Sequence, residues 1–164
     1  TGLAKETIEE SVIPASPKTR RKVIEEKIIS LILNEPKSLK LMKTDCFNLF
    51  SSEMKEIIKI FQDNPKDLSK GFENLGLSEE RQEFLNFLAL KGEVEIEESG
   101  EEIDIEDEIL ICLEGLRELT IKEKLTGLSQ KIKQAQREGP KEEIEGLSKK
   151  FNQLTEELAK INNQ

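Results

Sequence analysis

Apolar residues in the last quarter of the chain recur at alternating steps of three and four positions, in two separate stretches. The apolar positions are Ile121, Leu125, Leu128, Ile132 and Ala135 in the first stretch, and Ile144, Leu147, Phe151, Leu154, Leu158 and Ile161 in the second. This spacing places each set on one face of an α-helix. Between the stretches we expect a tight turn, with Gly139 in a left-handed conformation and Pro140 in the first turn of the next helix. The pattern predicts an antiparallel helical hairpin.

Helical periodicity extends through the rest of the chain, with interruptions at Pro and Gly residues. Ser16 is the expected N-cap of a helix that Pro17 opens, and Asp104 is the expected N-cap of a long helix. Gly92 is expected to close the helix that precedes an acidic segment. The predicted helices upstream of the hairpin turn cover residues 17–34, 36–42, 53–62, 65–76, 79–91 and 105–138.

These elements predict an all-α fold, in which a helical bundle is followed by a long connecting helix and a C-terminal antiparallel helical hairpin. We divide the chain into a linker or tail at 1–16, a bundle subdomain at 17–118 and the hairpin at 119–164. The boundary lies where the apolar stripe of the long helix shifts phase, near Thr120. The predicted core face of that helix before the shift consists of Ile109, Leu110, Ile111, Cys112, Leu113 and Leu116.

Residues 93–108 contain ten acidic residues and no basic residue, and this block carries almost all of the net charge of −9. We expect a solvated acidic loop at 93–103, followed by acids in the first turn of the long helix, where the helix dipole favours them. The alternating apolar residues also allow a short β-hairpin around Ser99 and Gly100. A calcium site is a third possibility, although the spacing of the acids is not that of an EF-hand loop.

The composition is typical of a helix-rich soluble domain, since 36% of the 164 residues are charged and 35% are hydrophobic. No apolar run reaches the roughly 18 residues that a membrane span requires, and the N-terminus lacks the apolar core of a signal peptide. Cys46 and Cys112 are flanked by apolar residues and are interpreted as reduced core thiols. Together these features favour a cytoplasmic protein that does not enter a membrane.

The composition also argues against catalysis. The chain has no His, and its two Cys residues are too few for a structural zinc site. No glycine-rich phosphate-binding motif is present. We therefore expect no catalytic residue, no cofactor and no metal. Direct nucleic-acid binding is disfavoured, because Trp and Tyr are absent and the basic cluster at 18–22 suits a solvated first helical turn.

Two segments carry a resemblance to a known family. CLEGLRELTIKEKLTGLSQKIKQAQREGPKEEIEGLSKKFNQLTEELAKI, at residues 112–161, resembles the end of the C-terminal helicase-binding domain of bacterial DnaG-type DNA primase. RRKVIEEKIISLILNEPKSLKLM, at residues 20–42, is similar to the opening of the same domain. Together they cover a little under half of the chain. Pro140 departs from the family, which commonly has an Asp or another N-cap residue after the Gly.

The resemblance implies a non-catalytic domain that binds the N-terminal collar of the replicative hexameric helicase. Such a domain recruits primase to the replication fork and modulates the helicase, and its terminal hairpin supplies much of the attachment. The zinc-binding and polymerase domains of the family have no counterpart in this sequence. The fragment is therefore not expected to make primers.

A two-helix hairpin cannot close a core, so the flanks of its seam stay open for a partner. Apolar anchors within a charged rim are typical of a docking surface. The candidate partner-binding residues are Leu125, Leu128, Leu147, Lys149, Lys150, Phe151, Leu154 and Leu158. Two alternatives are a homodimeric tether built on the 121–161 seam and an enzyme fragment with an unrecognised site. A docking module is expected to be monomeric in isolation, whereas a tether is not.

Overall fold

The structure, a computed structural model, describes residues 18–163. No strand occurs among these residues, so the predicted all-α fold is confirmed. The predicted tail at 1–16 lies outside the described residues. The α-helices are α1 (Arg20–Asn34), α2 (Thr44–Phe47), α3 (Ser52–Asp63), α4 (Pro65–Ser69), α5 (Glu79–Glu98), α6 (Ile105–Glu138) and α7 (Lys141–Asn162). Two 3₁₀ helices, at Pro36–Leu41 and Phe72–Asn74, lie between them.

Helix α1 is the central element of the bundle. It packs against both α5 and α6, and Ile28, Ile29 and Ile32 in its second half are completely buried. Burial of apolar surface around this helix is the main contribution to stability. The most deeply buried apolar side chains are Ile28, Ile29, Ile32, Met54, Ile57, Ile58, Phe61, Leu85, Leu88, Ile109 and Leu116.

Helix α1 also carries the polar contacts that fix its neighbours. Thr19, rather than the predicted Ser16, is its N-cap, because the Thr19 hydroxyl accepts a hydrogen bond from the Lys22 N–H at 3.2 Å. Ser16 lies outside the described residues. The buried carboxylate of Glu25 accepts a hydrogen bond at 2.6 Å from the backbone N–H of Ser51, the residue that precedes α3. This bond connects the start of α3 to the central helix.

The predicted acidic loop at 93–103 is wrong, because α5 continues through Gly92 to Glu98. Only residues 99–104 form a loop, and the short β-hairpin that was an alternative does not form there. Gly92 does not end the helix but allows it to approach α1. A Cβ on Gly92 would overlap the Ser30 hydroxyl and lie 2.6 Å from Asn34 Nδ2. The first acids of the block are therefore exposed helical side chains.

Two other helices depart from the prediction. The helix predicted at 65–76 ends at Ser69, and Gly71 then takes a φ of +105°, which is incompatible with a continuing helix. In α6, Leu110 and Ile111 do not widen the core face as predicted. They are 49% and 64% exposed, because α1 covers only the side of α6 that carries the buried residues.

Helix α6 connects the bundle to the hairpin as one continuous element. Its 34 residues correspond to a length of about 50 Å. Asp104 is its N-cap, as predicted, and accepts a hydrogen bond from the Asp107 N–H at 3.2 Å. The first half packs on α1 and the second half on α7, whereas α7 packs extensively only on α6 among the described elements. The subdomain boundary at 118/119 falls within α6 and stays a prediction.

The hairpin turn differs from the predicted turn. Gly139 has a φ of −100° and a ψ of 164°, so it is extended and not left-handed. Pro140 is the N-cap residue of α7 and not part of its first turn. Space for a side chain at 139 is nevertheless limited. A Cβ there would lie 2.9 Å from Glu143 Oε2 and 3.1 Å from the Ala135 carbonyl oxygen.

Both cysteines are free thiols buried in the bundle. Burial raises the pKa of the Cys46 thiol, and the nearby Asp45 carboxylate raises it further. Burial also raises the pKa of the Cys112 thiol. Both side chains therefore pack as small apolar groups and stay protonated at neutral pH.

Candidate protein-docking groove

The second half of α6 and the facing part of α7 form an open groove along one side of the hairpin. Its volume is about 460 Å³. The groove exists because the two helices contact each other along one stripe each and no third element covers the flank of that seam in the described chain. The lining residues are Lys124, Gly127, Leu128, Lys131, Lys150, Gln153, Leu154 and Glu157.

The floor of the groove is apolar. Leu128 from α6 and Leu154 from α7 are both half-buried, so each keeps part of its side chain accessible to a ligand. Gly127 lies beside them, and a Cβ at that position would meet no atom within 4 Å. The missing side chain therefore widens the groove without being required for helix packing. Such a floor can accept the apolar side chains of a partner.

The rim of the groove is basic. Lys124, Lys131 and Lys150 are exposed and face a single acid, Glu157. None of the three lysines forms an ion pair with another residue in the range 18–163. Their charges are thus available to steer and orient an acidic partner.

The structure divides the sequence-predicted residues into two sets. Leu128, Lys150 and Leu154 line the groove together. The others do not: Lys149 is exposed outside it, and the remaining four lie half-buried along the α6–α7 packing stripes. The residues of that last set are Leu125, Leu147, Phe151 and Leu158.

The sequence interpretation missed five lining residues, of which the two lysines of α6 matter most for charge. Lys124 lies four positions before Leu128 and Lys131 lies three positions after it. Residues at these separations are neighbours on a helix surface. The same spacing around Leu154 gives Lys150 and Glu157. These lining residues could therefore have been predicted from their helical spacing to Leu128 and Leu154. The missed residues are Lys124, Gly127, Lys131, Gln153 and Glu157.

Arg21 holds the base of the hairpin against the bundle. Its guanidinium donates to Thr120 Oγ1 at 2.9 Å and to Glu123 Oε2 at 3.1 Å, both on α6. It also donates to the carbonyl oxygen of Leu49, between α2 and α3. Because one planar group on α1 contacts two other segments, it restrains the direction in which the hairpin leaves the bundle. The groove is therefore held in a defined position relative to the core.

Comparisons with known proteins identify no relative. A scan against protein-family models, a search of curated proteins and a search of solved structures each find no match to this chain. Within residues 18–163, no helix combines the length and apolar character needed to cross a membrane. The same residues contain no group of three or more His, Cys, Asp or Glu side chains that could hold a metal ion.

Proposed function

We propose that this chain is the non-catalytic, cytoplasmic domain of a bacterial DNA primase that binds the replicative hexameric helicase. In this role it attaches primase to the N-terminal collar of the helicase, recruits it to the replication fork and modulates helicase activity. The family assignment is supported by the primase-like segments at 112–161 and 20–42. The attachment is assigned to the hairpin groove.

The observation that carries the proposal is the combination of apolar floor and basic rim on a hairpin that projects from the bundle. Leu128 and Leu154 would act as anchors, because burial of apolar side chains supplies most of the energy of a docking interface. The lysines would accelerate association with an acidic surface and fix its orientation. Since α7 has no extensive contact with the bundle, its outer faces are free for a partner of this kind.

The alternative function is a homodimeric tether, and one observation favours it. No residue of α7 within the described range is fully buried, so the seam could bury more apolar surface against a second hairpin. A symmetric four-helix arrangement would cover both open flanks. This arrangement would bring the lysine rims of two copies together, which is unfavourable. We therefore keep helicase docking as the principal proposal.

The test is a titration of the full chain against the replicative helicase of the source organism. Lys150→Glu reverses one rim charge in the groove, whereas Lys149→Glu makes the same change at the neighbouring position outside it. We expect Lys150→Glu to weaken binding by roughly tenfold or more and Lys149→Glu to change it little. Equal effects of the two substitutions would contradict the assignment to the groove.

A deletion tests the larger claim that the hairpin carries the attachment. Removal of residues 140–164 should abolish helicase binding and leave the cooperative unfolding of the bundle in place. If the shortened chain binds with undiminished affinity, the docking surface lies on the bundle. The molar mass of the intact chain in solution tests the alternative, because a tether is a stable dimer that does not grow beyond two copies.

A further inference from the structure

Helix α5 has a second apolar stripe on the side that faces away from the core. Phe87, Leu90 and Val94 are 56%, 61% and 41% exposed, although they follow the i, i+3, i+7 spacing of a packed face. Each lies two positions after a buried residue of the inner stripe, which places it on the opposite side of the helix. Three large apolar side chains in one exposed row indicate an interaction surface. We call this row the α5 ridge.

Acidic side chains bracket the α5 ridge. Glu83 lies one turn before Phe87, and Glu97 and Glu98 lie one turn after Val94, all of them exposed. Lys91 is the single basic residue beside the ridge. The surface thus combines apolar anchors with negative charge, and it complements a surface that combines an apolar floor with positive charge.

The hairpin groove of this same protein is such a surface. Its floor carries Leu128 and Leu154, and its rim carries Lys124, Lys131 and Lys150. The two surfaces therefore share apolar character and carry opposite charge. No extensive contact between α5 and α7 occurs within one chain.

The overall distribution of charge agrees with this complementarity. Residues 121–164 contain nine basic and seven acidic residues, which gives this segment a charge of +2. Since the net charge of the whole chain is −9, residues 1–120 together carry a charge of −11. A symmetric contact through one surface alone, either ridge against ridge or groove against groove, would bring like charges together. A head-to-tail contact brings opposite charges together and leaves one free ridge and one free groove at its ends.

We propose that the α5 ridge of one copy docks in the hairpin groove of a second copy, which makes this chain self-associate head to tail. The contact goes beyond helicase docking but uses the same groove, so a groove filled by a second copy cannot hold the helicase. The electrostatic attraction between the ridge and the groove weakens as the salt concentration is raised, because the charged residues of both surfaces are exposed to solvent.

The test measures the weight-average mass of the full chain by sedimentation at increasing protein concentration, at low and at high salt. We expect the mass to rise with concentration, and to rise more at low salt. Leu90→Asp places a negative charge in the middle of the α5 ridge, and Lys150→Glu reverses a charge on the exposed rim of the groove. Each should weaken self-association by roughly tenfold or more. Ile111→Asp changes an equally exposed apolar residue outside both surfaces and should have no effect.

A mixture of variants distinguishes a contact between ridge and groove from a symmetric contact through one surface alone. The Leu90→Asp chain keeps its groove and the Lys150→Glu chain keeps its ridge. An equimolar mixture should therefore form a one-to-one heterodimer at concentrations at which each weakened variant alone stays largely monomeric. The proposal is overturned if the wild-type mass stays monomeric at all concentrations, if Leu90→Asp associates like the wild type, or if the mixture forms no heterodimer.

Helicase binding by the same variants separates this proposal from the proposed function. Leu90→Asp should bind the helicase at least as tightly as the wild type, because its groove is intact and no second copy competes for it. Loss of helicase binding in this variant would place the helicase on the ridge and would count against the proposed function, whereas the sedimentation results decide the self-association proposal. Failure of Lys150→Glu to affect the helicase would count against the proposed function alone.

Discussion

Replacement of Gly92 by alanine tests whether the close approach of α5 to α1 organises the bundle. The added Cβ would overlap the Ser30 hydroxyl, lie 2.6 Å from Asn34 Nδ2 and lie 3.3 Å from the Ser30 carbonyl oxygen. The hydroxyl could rotate away, but the Ser30 backbone cannot move without shifting the central helix. Asn34 would be pushed out of its present position, in which Nδ2 donates to the carbonyl oxygens of Ala89 at 3.1 Å and of Ser30 at 2.9 Å.

The expected magnitude follows from three opposing contributions. Alanine gains about 1 kcal/mol over glycine from helix propensity. Overpacking at a buried crossing costs about 1–3 kcal/mol. Loss of the two Asn34 hydrogen bonds costs about 1 kcal/mol each if neither finds a new partner. The sum predicts that Gly92→Ala lowers the free energy of unfolding by about 2–4 kcal/mol.

The assay is urea unfolding followed by circular dichroism, with Gly115→Ala as the matched control. Gly115 lies in the bundle part of α6, and a Cβ there would lie 3.4 Å from Ile24 Cδ1, an ordinary contact with a flexible side-chain end. That variant should be as stable as the wild type or up to about 1 kcal/mol more stable. In a Ser30→Ala background the cost of Gly92→Ala should fall, because the overlapping hydroxyl is gone. If Gly92→Ala and Gly115→Ala have the same stability, the close-approach argument is refuted.

Three further predictions rest on individual contacts. Glu25→Ala should cost about 2 kcal/mol in urea unfolding, because it leaves the Ser51 N–H without its partner, whereas Glu25→Gln retains an acceptor and should cost less. Phe151→Ala should destabilise the hairpin by about 1.5 kcal/mol. This is less than the roughly 3 kcal/mol expected for a fully buried Phe, because Phe151 is only half-buried. Unchanged amide exchange across α7 in this variant would show that Phe151 does not stabilise the seam. The hydrogen bond from Arg81, at 2.7 Å, lowers the pKa of the Glu56 carboxyl in the folded protein. The stability that this pair contributes is therefore present above the pKa of Glu56 in the unfolded chain, and it is lost as the pH falls through the lower pKa of the folded state. Arg81→Gln should return the Glu56 pKa toward its ordinary value in an NMR titration, and an unchanged titration would mean that the pair does not form.

Helix type and most helix starts were predictable because their signals are local. Ser78 and Asp104 are followed by helical periodicity, and both accept hydrogen bonds from the backbone N–H three positions ahead. The hairpin was predictable for the same reason, since a break at Gly139 separates two stripes of regular spacing. Such features depend only on residues within a few positions of one another.

Glycine roles could not be predicted, because they depend on what lies opposite in space. Gly92 has the sequence context of a helix end, and only the position of Ser30 on α1 shows that it is a crossing point within a continuous helix. Gly139 has limited space beside Ala135 and is not in a left-handed conformation. The contact of Gly92 joins helices that are distant in the sequence, so sequence spacing carries no information about it, whereas Gly139 contacts Ala135 and Glu143, each four positions away.

The candidate surfaces show the same division between sequence and structure. Periodicity alone identified the apolar residues of the hairpin, but it could not separate those that line the groove, such as Leu154, from those that close the seam, such as Phe151. The α5 ridge was hidden because both faces of that helix are apolar, and only the position of α1 determines that Leu88 is buried and Leu90 exposed. Sequence determined which residues share a helix face, because the period of the helix is fixed by its backbone. Tertiary structure determined which face is covered, because coverage depends on the packing of segments that are distant in the chain.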